Sequence, residues 1–145
     1  MDTNCIYCAK DGRLDKLMIE IYTLNVSTLY IFKEQTHKGR CIVAYNKHEK
    51  ELFNLKQNEL SNFMNDVSLA AEAIYKSVNP QKLNYGAFGD KMPHLHMHIV
   101  PKYENGMNWG STFEMNPGKT YLEEKEYLEL IKVIKSNVEE LNCIK

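Results

Sequence analysis

The chain has no stretch approaching the roughly 20 apolar residues of a membrane-spanning helix. It also has no charge imbalance: 18 Lys and Arg against 19 Asp and Glu leave a net charge of −1. The first absence argues against a helical membrane protein, and the second removes the electrostatic case for sequence-independent nucleic-acid binding. Any phosphate site must then be a local arrangement of side chains. The opening residues, Met1-Asp2-Thr3-Asn4-Cys5, lack the basic and apolar regions of a secretory signal. A cytoplasmic location is therefore expected. Cysteine is scarce, with four in the chain, and in that compartment Cys5, Cys8, Cys41 and Cys143 are expected as thiols, Cys41 and Cys143 packing as small apolar groups. Repeats and low-complexity tracts are absent, and tryptophan occurs once, as Trp109.

What is present suits one domain over residues 1–145, long enough to bury roughly two-thirds of its unfolded surface without disulfides. Strands are expected at residues 17–24, 29–32 and 41–45, then a helix over 57–78. In that helix Leu60, Phe63, Met64, Val67, Ala71, Ile74 and Val78 recur at helical spacing, and Asn79-Pro80 follows as a stop. A strand over 82–88, a turn at Gly89-Asp90-Lys91-Met92-Pro93 and a strand over 94–100 make a hairpin. A Gly/Asn/Pro-rich loop over 104–119 precedes a second helix, which Thr120 and Glu123 would open as a capping box and whose apolar face is Leu128, Ile131, Ile134, Val138 and Leu141. Strands interrupted by one helix and closed by another indicate α+β, with a mostly antiparallel sheet of about five strands and two helices. The loop over 104–119 is long enough to suggest a binding role or partner surface.

The chemistry concentrates in His94-Leu95-His96-Met97-His98-Ile99-Val100, which holds three of the five histidines. In an extended chain alternate side chains share a face, so the imidazoles would line one side and Leu95, Met97 and Ile99 the other. Neutral imidazole is a nucleophile, base or metal ligand. The three rings could serve phosphorus chemistry or jointly hold a catalytic ion. Cys5-Ile6-Tyr7-Cys8 has a spacing that lets two thiolates reach one tetrahedral ion, but alone it fits ordinary buried thiols as well. His37 reads as a loop residue.

The unbroken H-φ-H-φ-H-φ-φ pattern, with Lys82-Leu83-Asn84-Tyr85 before it and Pro101-Lys102 after it, resembles the histidine triad family of nucleotidyl hydrolases and transferases. The likeness covers roughly residues 5–103. It implies attack by His96 on an AMP-type phosphorus, a nucleotidyl-histidine intermediate, and its hydrolysis by water. The substrate would be a purine nucleotide conjugate, either a phosphoramidate or a dinucleoside polyphosphate. His98 would act beside His96 as a hydrogen-bond donor to phosphate and would help protonate the leaving group. Asn84, Lys91 and Arg40 are the other candidate substrate contacts, Arg40 standing where many members have histidine. Glu34 is the candidate for the acidic residue that holds the ribose. A subset of the family joins an N-terminal CxxC to a histidine after the third strand and the first triad histidine; the matching residues are Cys5, Cys8, His48 and His94. That set implies a structural Zn2+ held in part by a turn within residues 1–15, with no catalytic metal. The family also implies a homodimer, to which Trp109 could contribute. The departures at Arg40, Asp90 and Glu34 keep a second reading open: a zinc-stabilised nucleotide-binding or interaction module with little turnover.

Overall fold

A computed structural model describes residues 4–144, so Met1-Asp2-Thr3 of the signal-peptide argument lie outside the described residues. The N-terminal segment forms two short helices, α1 (Ile6–Ala9) and α2 (Gly12–Leu17). Five strands follow: β1 (Met18–Thr23), β2 (Ser27–Phe32), β3 (Cys41–Tyr45), β4 (Lys82–Gly86) and β5 (His96–Lys102). Two long helices, α3 (Gln57–Val78) and α4 (Glu124–Ile144), separate β3 from β4 and close the chain. The strands form one sheet in the order β1-β2-β3-β5-β4, and the four neighbouring pairs are all antiparallel. This is the α+β architecture expected, with α1 and α2 added in a stretch whose helices are too short to show a periodic apolar face.

The α3 boundaries coincide with the apolar periodicity because both ends carry local stops. The Lys56 N–H donates to the Glu59 carboxylate at 3.2 Å, and Asn79 ends the helix in the left-handed region at φ 46°. The face it buries is rotated from the expected one: Met64 is exposed, whereas Leu69, Ala70 and Ala73 are covered. Packing of α4 against α3 accounts for this, since a helix contacting both a sheet and another helix buries a wider arc. On α4, likewise, Tyr127 and Leu130 replace Leu128 in the buried set with Ile134, Val138 and Leu141. Its start is shifted too. Glu123, not Thr120, is capped, its N–H donating at 2.8 Å to the Glu126 carboxylate, and the Thr120 carbonyl instead accepts from the Gln35 N–H at 2.8 Å.

The sheet has apolar cover on both faces. Leu29, Ile31, Cys41, Val43, Leu95, Met97 and Ile99 meet α3 and α4. Tyr30, Phe32, Ile42 and Ala44 meet Cys5, Ile6, Tyr7 and Leu14 from the N-terminal helices. Cys41 is thus core, but Cys143 is exposed, contrary to expectation. Strand β5 begins two residues later than predicted, leaving His94 just before it, and runs through Pro101 to Lys102. Pro101 is tolerated because the pairing with β3 ends at Cys41↔Ile99, before that side of the strand needs its missing N–H. Among the described residues, no helix is long and apolar enough to cross a membrane.

Candidate functional site

Alternation along β5 places His96 and His98 on the face away from α3 and α4, directly across from Ala44 and Ile42 of β3. All three triad rings are buried. Their surroundings fix each tautomer, because each partner can play only one role. The His96 Nδ1 lies 2.5 Å from the His94 carbonyl oxygen, which only accepts, so Nδ1 carries the proton and Nε2 keeps its lone pair. The His94 Nε2 donates to the Tyr45 carbonyl at 2.7 Å, leaving Nδ1 free to ligate. His98 is the reverse case: the Arg40 Nη2 donates to its Nδ1 at 3.2 Å, and a guanidinium has no acceptor, so the His98 proton sits on Nε2. Burial holds the His96 imidazole below its ordinary pKa. Burial, then Arg40 and then His96, push His98 down to about 3. Both rings are neutral at physiological pH.

The His94 Nδ1 belongs to a second cluster. It stands 3.3 Å from the Cys5 Sγ, 3.6 Å from the Cys8 Sγ and 3.4 Å from the His48 Nδ1. The Cys8 Sγ is 3.3 Å from the His48 Nδ1, and all four ligand atoms lie within 4.8 Å of one another. Bond lengths of about 2.05 Å to nitrogen and 2.3 Å to sulfur in a tetrahedral zinc shell put its ligand atoms about 3.4–3.8 Å apart. The four residues fit such an ion by donor type, number and spacing. Cys5, the N-cap of α1, and Cys8 within α1 supply the two sulfurs, since that single turn of helix folds the chain between them.

Tyr7, between those cysteines, joins the two clusters: its ring centroid is 5.0 Å from that of His94 and 5.1 Å from that of His96. On the far side His98 is walled by Phe32, Phe88 and Phe113, with ring centroids 6.0–6.3 Å away. Phe88 reaches it because Gly86, paired with His98, has no Cβ; one there would meet the Phe88 ring at 2.4 Å. Arg40 is fully buried, its guanidinium 4.3 Å from the Phe32 ring centroid and 5.2 Å from that of Phe113, with its Nη2 3.4 Å from the Met115 Sδ. Its Nε and Nη1 find no partner among the described residues.

A tight connection delivers Arg40. Gly39 adopts φ +90°, and a Cβ there would stand 2.8 Å from Val78. The Gln35 side chain closes the loop, donating to the Phe32 carbonyl at 2.5 Å and the Arg40 carbonyl at 3.1 Å and accepting from the Gly39 N–H at 2.8 Å. The same loop buries Glu34, whose Oε1 accepts from the Thr36 N–H at 2.5 Å while Oε2 is unpaired. His37, expected as an ordinary loop residue, is 2% exposed with an unpartnered Nε2, and burial holds its pKa down.

Two clefts flank Phe88. One of about 810 Å³ is lined by Asn84, Phe88, Lys102 and residues 109–113. The other, of about 380 Å³, is lined by Leu52, Phe88, Asp90, His94 and His96. Asn84 therefore lies on the histidine face but in the cleft beyond Phe88 from His96. Asp90 lines the cleft at His96, whereas Lys91 is exposed on the turn and is not among its lining residues. Tyr7, Gln35, Phe113 and Met115 were not anticipated. Only the position of Tyr7 within CxxC could have flagged it.

An open antiparallel sheet with two long helices on one face, and paired histidines beside a Cys/His cluster on the other, defines a histidine-centred α+β protein. A family model described as HIT domain matches residues 20–105, and the chain belongs to that family, the histidine triad proteins. It is 31% identical over 72 residues, 47% of its length, to an uncharacterised HIT-like protein of Methanocaldococcus jannaschii, of which 56% is covered. The chain spans about half the length of the curated relatives it matches. A histidine triad protein from Sinorhizobium meliloti superposes with TM-score 0.80 at 23% identity, covering 88% of this chain and 94% of that one. A zinc-bound histidine triad family protein from Mycobacterium smegmatis does so with TM-score 0.70 at 17% identity, over 99% of both chains. These two likenesses concern the fold.

Proposed function

We propose that the protein is a nucleotidyl hydrolase that forms a covalent intermediate on His96. The observation that carries this reading is the hydrogen bond from the His96 Nδ1 to the His94 carbonyl, which leaves Nε2 unprotonated and aimed by the strand. Attack by Nε2 on the α-phosphorus of a purine nucleotide conjugate, a phosphoramidate or dinucleoside polyphosphate, forms the P–N bond as the bond to the leaving group breaks. Water then attacks phosphorus, the electron pair returns to Nε2, and a proton is lost to solvent. Neutral His98 donates its Nε2–H to a phosphoryl oxygen as charge builds there. Asn84 and Lys91 contact more distant parts of the ligand, and Glu34, buried in the connection between β2 and β3, is the candidate acid for the ribose hydroxyls. Arg40 adds positive charge behind His98.

Cys5, Cys8, His48 and His94 hold a structural zinc ion, which fastens the N-terminal segment to the root of β5. Four protein ligands leave no position for substrate, so this ion is structural, and splitting the displacement into two steps through His96 lets the chemistry at phosphorus proceed without a metal. A homodimer forms through the free edge of β4, where Tyr85 and nearby Trp109 are 53% and 45% exposed. A second reading, a nucleotide-binding module with little turnover, draws on the covering of His98 by Arg40 and Phe113, with Met115 packed on Arg40. The deciding experiment is rapid mixing with an activated adenosine monophosphate ester followed by acid-free quenching and intact mass measurement. An adenylyl adduct on the wild type and none on His96→Ala, at equal folded content, is expected. Tight nucleotide binding without any adduct moves the assignment to the binding module.

A further inference from the structure

The pairing of Arg40 with His98 bears on which bonds the site can break. We infer that Arg40 is a positioning residue that holds His98 as a neutral hydrogen-bond donor and thereby confines efficient cleavage to leaving groups that depart as anions. The inference rests on the hydrolase reading above.

The geometry disfavours the doubly protonated state of His98. For His98 to give a proton to a leaving group as an acid of imidazolium strength, both ring nitrogens must hold hydrogen beforehand; the neutral Nε2–H form would have to leave as an imidazolate. The Nδ1 would then point an N–H at the Arg40 Nη2–H, 3.2 Å away, from a guanidinium that can only donate. Arg40 cannot swing aside, being fully buried between the Phe32 and Phe113 rings and tethered at its carbonyl by Gln35. Among the described residues its charge is not cancelled by a direct ion pair. Nε and Nη1 are unpartnered, and the nearest acid on the loop, Glu34, keeps Oε2 unpaired. Among the described residues the rings packed on His98 are those of His96 on the same strand and of Phe32, Phe88 and Phe113, its strand partners are Ile42 and Gly86, and none of these is a carboxylate.

The chemical consequence follows from where the electron pair goes. When the Nε2 of His96 displaces a phosphate from a P–O–P anhydride, the pair leaves on an oxygen already stable as an anion at neutral pH, and no proton is needed. When it displaces an amine from a P–N bond, or an alkoxide from an ester, the departing atom must gain a proton as the bond breaks. General acid catalysis of that step is worth about 10²–10⁴ in rate, and a His98 locked as its Nε2–H tautomer does not supply it. Anhydride-linked nucleotides are thus the favoured class, and amidates the disfavoured one.

The test compares kcat/KM for an adenosine phosphoramidate, a dinucleoside polyphosphate and adenosine monophosphate aryl esters of graded phenol acidity. Wild type, Arg40→His and Arg40→Lys are assayed. The wild type is expected to favour the anhydride by about 100-fold or more, as the general-acid range implies, and to lose rate steeply as the phenol becomes less acidic. Arg40→Lys, which also only donates, keeps that profile; Arg40→His lowers the preference at least ~10-fold and flattens the ester series. Nitrogen-15 spectra of His98 provide a readout independent of turnover and of the buried substitution: the wild type shows the Nε2–H tautomer unchanged between about pH 5 and 8, across the ordinary imidazole pKa. A titrating His98, or a wild type that cleaves the amidate as fast as the anhydride, overturns the inference while leaving the hydrolase reading intact. Absence of an adduct with every donor overturns both.

Discussion

The carbonyl oxygen of His94 accepts from the Nδ1 of His96 at 2.5 Å, while the ring of the same His94 turns its own Nδ1 toward Cys5, Cys8 and His48. One residue therefore sets the tautomer of the proposed nucleophile with its backbone and enters the metal-binding set with its side chain. Displacing His94 disturbs both.

Removal of the metal is the first consequence to measure. Chelation, or Cys8→Ser, is expected to release one zinc ion per chain, visible by native mass spectrometry. Each should also lower the unfolding midpoint, since an ion that binds only the folded state contributes several kcal/mol when its free concentration stands well above its dissociation constant. Equal midpoints with and without chelator would remove the structural role.

Tyr7 lies against both His94 and His96, and its hydroxyl has no hydrogen bond among the described residues. Tyr7→Phe is therefore expected to be close to neutral. Tyr7→Ala should cost about 3–5 kcal/mol, as deleting a buried ring does, and should slow adduct formation while nucleotide affinity changes less. Denaturant unfolding and single-turnover kinetics together measure both effects.

Stability should fall on acidification in a particular window. Because burial, Arg40 and His96 lower the His98 pKa from 6.5 to about 3, the unfolded chain binds more protons than the folded one between those values. Stability from this group is complete above about pH 6.5 and is lost as pH drops toward 3. Thermal melts of His98→Gln, whose amide oxygen can still accept from Arg40, should show a shallower slope over that range. An unchanged slope would assign the acid sensitivity to other groups.

Gly39→Ala tests the connection that presents Arg40. A side chain at φ +90° with its Cβ 2.8 Å from Val78 is strained, and a loss of about 1–3 kcal/mol is expected. The shift of Arg40 should also release His98, which its imidazole nitrogen-15 resonances would report.

Much of this arrangement is legible in the sequence because it obeys short-range rules. The 57–78 helix has a periodic face and an Asn-Pro stop, and it matches α3 at both ends. The histidine alternation follows from strand pleat alone. The ligand cluster of Cys5, Cys8, His48 and His94 assembles as the family resemblance implied. What sequence reading misplaced depends on tertiary contact. Met64 and Leu128 fall outside the buried faces because α3 and α4 pack on each other. The burial of Arg40 and His37 needed knowledge of how residues 33–40 fold back. Phe113 and Met115, about 75 residues from Arg40, carry no motif; only the length of the 104–119 loop hinted that it touches the site.

The Gln35 amide has one further implication, for how homologous chains can vary. It spans the mouth of the connection between β2 and β3 with three hydrogen bonds, to Phe32, Gly39 and Arg40. A residue inserted or deleted between positions 36 and 38 would carry the Gly39 N–H out of reach and shift Arg40 along its slot between the aromatic rings. Surface connections ordinarily tolerate changes of length. This one is a fixed-length cassette, in which natural variation should exchange side chains but spare the count of residues.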